Sequence, residues 1–140
     1  MTSPQSLLLY LAMLPLGIAA CSSLPETGQT GHIVSIEIGL AVDPAVSRAF
    51  VGDEIRWHNA RREPVTVGLL TSLTRSDLAC AKGFTRFGWL DDFVTLPPDG
   101  SASLCLARPG TVQFNVWFDA KNPRGTVSPL ATVKVSAQSG

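Results

Sequence analysis

From residue 33 onward the chain shows many short apolar runs, several of them alternating with polar residues, with proline and glycine scattered between them. Period-two alternation puts successive side chains on opposite faces of an extended chain, so such runs predict half-buried strands. Val34, Ile36, Ile38, Leu40 and Val42 alternate with Ser35, Glu37, Gly39 and Ala41, and Asp43-Pro44 ends the pattern. Residues 50–58 predict a second strand with Val51, Ile55 and Trp57 inward, and residues 59–64 a polar loop. Residues 65–70 form a short apolar strand, residues 71–85 give no clean helical stripe, and residues 87–96 are aromatic and apolar. Pro97-Pro98-Asp99-Gly100 is a strong turn signal. Beyond it Ala102, Leu104 and Leu106 alternate against Ser103 and Cys105. Arg108-Pro109-Gly110 makes another turn, Val112, Phe114 and Val116 share one face of the next strand, and residues 130–135 close the chain. Many short strands with regular turns predict an all-β sandwich or barrel, here one domain over residues 32–140.

The first 20 residues belong to a different class. Thirteen of them are apolar, which raises the average of the whole chain to 45%. Residues 7–20 are apolar and uncharged but shorter than the roughly 20 residues a bilayer span needs, and Pro15 and Gly17 interrupt them. The length suits the apolar region of a secretory signal. It ends in Ile18-Ala19-Ala20-Cys21, which resembles the lipobox of bacterial lipoproteins, although residues 1–6 carry no Lys or Arg. That resemblance implies a diacylglycerol on the Cys21 sulfur and a further acyl chain on its freed amine. Several buried chains hold a bilayer far more firmly than one. The alternative is a plain secretory signal cut near Ala20. Residues 21–31 are mostly polar with scattered Gly and Ser and read as a flexible tether. Ser22, rather than an Asp, follows the cysteine, so by the same resemblance retention at the inner membrane is not signalled. The expected location is the periplasmic side of a bacterial cell envelope, with the outer membrane favoured.

The remaining cysteines, Cys80 and Cys105, form one pair. In an exported domain a pair points to a disulfide. The other reading is two thiolate metal ligands, which lack nearby histidines to complete a four-ligand zinc site. Eleven Lys and Arg balance eleven Asp and Glu, so no net field directs the chain toward nucleic acid or an anionic membrane.

Three stretches resemble the cupredoxin family, in the family's order and spacing. Gly52-Asp53-Glu54-Ile55-Arg56-Trp57-His58-Asn59 is similar to its G-D-x-[VI]-x-[FW]-x-N strand. Leu96-Pro97-Pro98-Asp99-Gly100-Ser101 is similar to its L-x-P-G-x-S hairpin, and Arg108-Pro109-Gly110-Thr111-Val112-Gln113-Phe114 to its x-P-G-T-Y-x-Y strand. The resemblance implies a Greek-key β-sandwich. It also implies a copper site of two His, one Cys and an axial Met. Carried over position by position, the ligand places fall on Val65, Val116, Asp119 and the stretch 123–125, and both methionines lie in the signal. The expectation is therefore a cupredoxin scaffold without the family's copper site and without a cofactor. The alternative is a copper-binding or electron-transfer protein with an atypical site, for which His58 is the weak candidate; His32 lies at the edge of the tether.

No nucleophile elbow, phosphate loop or Cys–His pair is present, and the neighbours in Asp53-Glu54 and Asp91-Asp92 point to opposite faces on a strand. No enzymatic activity is expected. Residues 83–94 gather Phe84, Phe87, Trp89 and Phe93 around Arg86, and Trp117-Phe118 follows the last copper-family strand. Exposed aromatics interleaved with Arg are frequent in interface hot spots. Phe84, Phe87, Trp89, Trp117 and Phe118 are thus the partner-binding candidates, and the expected role is a protein-binding or accessory structural subunit of the envelope.

Overall fold

The computed structural model describes residues 23–139; the expected signal segment and the lipidation site Cys21 lie outside the described residues. The chain runs β1 (Ile33–Ile38), β2 (Val42–Asp43), β3 (Val46–Phe50), β4 (Glu54–Asn59), β5 (Val65–Leu69), a 3-10 turn (Arg75–Asp77), β6 (Leu78–Lys82), β7 (Thr85–Arg86), β8 (Trp89–Leu90), β9 (Phe93–Leu96), β10 (Ser101–Leu106), β11 (Gly110–Trp117) and β12 (Ala131–Ser136). One sheet has the order β2-β1-β4-β10-β6 and the other β3-β12-β11-β5-β9, while β7 and β8 make a separate hairpin. The chain crosses repeatedly between sheets, which yields parallel pairs β1–β4 and β3–β12 within otherwise antiparallel ladders. This is a Greek-key β-sandwich.

Alternation places the core. Ile36, Ile38, Ile55, Trp57, Ala102 and Leu104 of the first sheet face Val65, Val67, Val112, Phe114, Val116 and Val133 of the second, all fully buried. Trp57 is the centre. Its ring meets Phe84 at 5.4 Å and Phe114 at 5.3 Å, both edge-to-face, the arrangement that the ring quadrupoles favour.

The disulfide is formed. Cys80 and Cys105 are directly opposed on the antiparallel neighbours β6 and β10, with Cα atoms 4.7 Å apart. It therefore clips an edge strand to its own sheet rather than joining the two sheets. Residues 25–32 run beside this sheet: Ala81 N–H donates to the Pro25 carbonyl, Gln29 N–H to Gly52, and Glu54 N–H to His32. Part of the segment expected as a flexible tether is thus hydrogen-bonded to the domain and satisfies one edge N–H of β6, that of Ala81, that would otherwise need water.

Two expectations on strand limits are corrected, and two stretches that the sequence leaves open are resolved. The first strand ends at Ile38; Leu40 sits in the turn between β1 and β2 and is 98% exposed. Residues 50–58 are not one strand. Phe50 ends β3 in the second sheet, the chain turns at Gly52 with φ 86°, and β4 begins in the first sheet. The stretch 71–85 contains β6, whose Leu-Ala-Cys-Ala sequence hides its alternation because Leu78, Cys80 and Ala81 are all buried. The aromatic stretch 87–96 divides between β8 and β9.

Candidate functional site

The aromatic residues singled out by the sequence separate into three environments. Phe84 is fully buried against Trp57. It belongs to the core and is unavailable to a partner, which corrects its assignment as a binding residue. Its carbonyl accepts the Asp91 N–H, closing the base of the β7–β8 hairpin over the sandwich.

Phe87 and Trp89 are on the hairpin and face water, at 94% and 79% exposure. Arg86 pairs across the hairpin with Trp89 and Thr85 with Leu90, leaving a two-residue loop of Phe87 and Gly88. Both have positive φ, 51° and 80°, which defines a type I′ turn. That turn favours Asn-Gly, and a phenylalanine held in the left-handed region costs on the order of 1 kcal/mol. The hairpin forms one wall of a groove of about 240 Å³ whose other walls include Ser23, Leu24, Glu26, Arg75 and Leu78. Leu24 and Arg75 were not singled out from the sequence. The available signal was the position of Leu24, three residues after Cys21. Beside the groove, Asp77 takes hydrogen bonds from the Thr74 backbone and hydroxyl and from Arg108, which together hold its carboxyl below the usual carboxylate range.

Trp117 and Phe118 are both half-buried, on opposite sides of β11. Trp117 lies on the outer face of the second sheet and meets Phe93 edge-to-face at 5.8 Å. The pair is set down on Gly68, where a Cβ would come within 2.9 Å of the Phe93 ring and collide with the Trp117 ring. Glycine at this position lets two aromatic side chains approach the backbone closely. Phe93 remains 53% exposed, so the patch is open to solvent on a face that in a sandwich is ordinarily polar. Phe118 lies under the Arg61 guanidinium, 5.1 Å from its centre. Arg61 in turn donates to the Gly39 carbonyl, pinning the β1–β2 turn at that end of the sandwich.

The positions corresponding to the copper ligands of the resembled family do not fit a copper ion. Val65 and Val116 are fully buried apolar side chains without a donor atom. Asp119 is exposed and accepts the Lys121 N–H in its own turn. His58 faces outward from β4; its Nδ1 lies 2.7 Å from Glu37 and its Nε2 3.8 Å from Asp99. Among the described residues no three His, Cys, Asp or Glu are grouped to hold a metal ion. Titrating the folded protein with Cu(II) is expected to give no intense thiolate-to-copper absorption in the visible, and His58→Ala is expected to leave any residual affinity unchanged. The adjacent carboxylates of Asp53 and Glu54 are committed to structure. Asp53 accepts the Thr30 hydroxyl and the Phe50 N–H, while Glu54, 4% exposed, pairs with Arg56 and the Ser103 hydroxyl. At the hairpin base the Asp91 carboxylate accepts the Phe93 N–H at 3.4 Å, while Asp92 is exposed.

These features define the class: the fold is cupredoxin-like. No family model and no curated protein matches the chain by sequence. Among solved structures it is similar to a reduced tryptophan-to-tyrosine mutant of amicyanin, at 13% identity and TM-score 0.51, covering 76% of this chain and 84% of that one. It is also similar to an oxidised proline-to-alanine mutant of amicyanin, at 16% identity and TM-score 0.50, covering 83% and 95%. The Cu(I) form of a methionine-to-alanine mutant matches at 14% identity and TM-score 0.50, covering 81% and 94%. Identity this low carries the fold and nothing about the site.

Proposed function

We propose that this chain is a lipid-anchored, exported protein of a bacterial cell envelope whose cupredoxin-like domain binds or braces a protein partner without using copper. The observation that supports the binding role is the Phe93–Trp117 pair on the outer face of the second sheet. Two aromatic rings seated on glycine backbone form a partly exposed apolar patch, and such rings make large contacts at small entropic cost. The lipid anchor rests on the Ile18-Ala19-Ala20-Cys21 sequence and the exported location agrees with a formed disulfide.

The test is a photo-crosslinking amino acid placed at Phe93 of the full chain in cells, with Lys134, on the same face of the same sheet, as a control position. A discrete adduct at 93 and none at 134 is expected, and Trp117→Arg should reduce that adduct about tenfold or more, as loss of a hot-spot aromatic does. Equal labelling at both positions, or an adduct that survives Trp117→Arg in folded protein, would sink the assignment of this face.

A further inference from the structure

The β7–β8 hairpin is left without a role by the partner-binding patch, and its placement points to a different occupant. Ser23 and Leu24 line the same groove as Phe87 and Gly88. Cys21 is two residues before Ser23, a length of chain that spans at most about 7 Å between Cα atoms. Residues 25–29 are held to the sheet by the Pro25 and Gln29 hydrogen bonds, which removes the slack that a free tether would provide.

We propose that the hairpin contacts the membrane, with Phe87 and Trp89 seated at the headgroup–acyl boundary of the bilayer that holds Cys21. This inference rests on the lipoprotein reading above. The chemistry fits that boundary. Phe87 presents an apolar tip, Trp89 an amphipathic ring of the kind enriched at membrane interfaces, and Arg86, paired directly across from Trp89, a cation for lipid phosphate. Glu26 is the acidic side chain on the groove. The two arms are two residues long, against the roughly 10 residues a strand needs to cross, so the hairpin dips without spanning. The turn supplies independent support. A type I′ loop favours Asn-Gly, yet the chain places a left-handed and nearly fully exposed phenylalanine there, an arrangement that local folding does not explain.

The experiment uses the full chain, purified with its modification and reconstituted in phosphatidylethanolamine–phosphatidylglycerol vesicles. The mass of the Cys21 peptide reports the anchor, flotation reports binding, and tryptophan quenching by brominated acyl chains reports the hairpin. With three tryptophans in the chain and one at the interface, quenching of up to about one third of the emission is expected. Trp89→Phe should abolish it. Phe87→Asn supplies the residue the turn prefers, so the domain should melt no lower than wild type while the quenching falls. An unmodified Cys21 overturns the anchor and the hairpin proposal with it. An acylated, vesicle-bound protein whose emission is not quenched, or is quenched equally in the Trp89→Phe variant, overturns the hairpin proposal alone.

Discussion

Phe84→Ala is expected to lower the unfolding free energy by about 3–5 kcal/mol, a large part of the roughly 5–15 kcal/mol of a typical domain. Phe84 is fully buried, and its ring fills the space against the edge of Trp57 between the two sheets. Truncation removes transfer energy and leaves a cavity lined by a rigid indole that does not collapse into it. Denaturant unfolding of the variant measures the loss. A change below about 1 kcal/mol would mean that the ring lies at a surface, and would return Phe84 to the binding candidates. By contrast Phe87→Ala, at a position with almost no protein contact, should leave the midpoint within about 0.5 kcal/mol of wild type or raise it.

The second large effect belongs to the cysteine pair. Replacing Cys80 and Cys105 together by alanine should lower stability by about 3 kcal/mol, the value expected for opening a loop with a sequence separation of 25. The loss should be local before it is global. β6 is an edge strand held to β10 on one side and by residues near Pro25 on the other. Amides of β6 are therefore expected to lose hydrogen-exchange protection first, with β4 and β11 retaining theirs until global unfolding. An unchanged midpoint in the double variant would show that β6 needs no staple.

The outline of the fold was legible where the large apolar side chains fall on one face of a strand. β10 and β11 carry large apolar residues on one face, so Leu104, Phe114 and Val116 announce their direction. β4 reads equally well through Ile55 and Trp57. β3 was not legible because its inward residues, Ser47 and Ala49, are small, while the larger Val46 and Phe50 point outward. β6 was not legible because it is buried on both faces, which erases period two. Leu40 continued the alternation of β1 in the sequence, but the chain had already turned, and alternation alone does not reveal a two-residue return strand.

The surface was legible as composition and not as direction. Phe84, Phe87, Trp89 and Phe93 lie within ten residues, and their clustering was visible, yet one is core, two form a hairpin tip and one lies on a sheet face. The difference is made by backbone that the side chains do not encode, namely the left-handed loop at Phe87 and Gly88 and the end of β6 just before Phe84. Gly68 illustrates the same limit. A glycine inside an apolar strand signals a close approach, but not that Trp117 and Phe93 are the groups that approach.

The hydrogen bonds around the turn after β3 bring distant parts of the sequence to adjacent carbonyls. Gln138 donates its side-chain amide to the Val51 carbonyl, and Gln29 donates its N–H to the Gly52 carbonyl. The beginning and the end of the folded unit are thus neighbours in space. A short glycine-rich bridge joining them, with the chain reopened between Phe87 and Gly88, would preserve every ladder of both sheets while reversing the order in which they are synthesised.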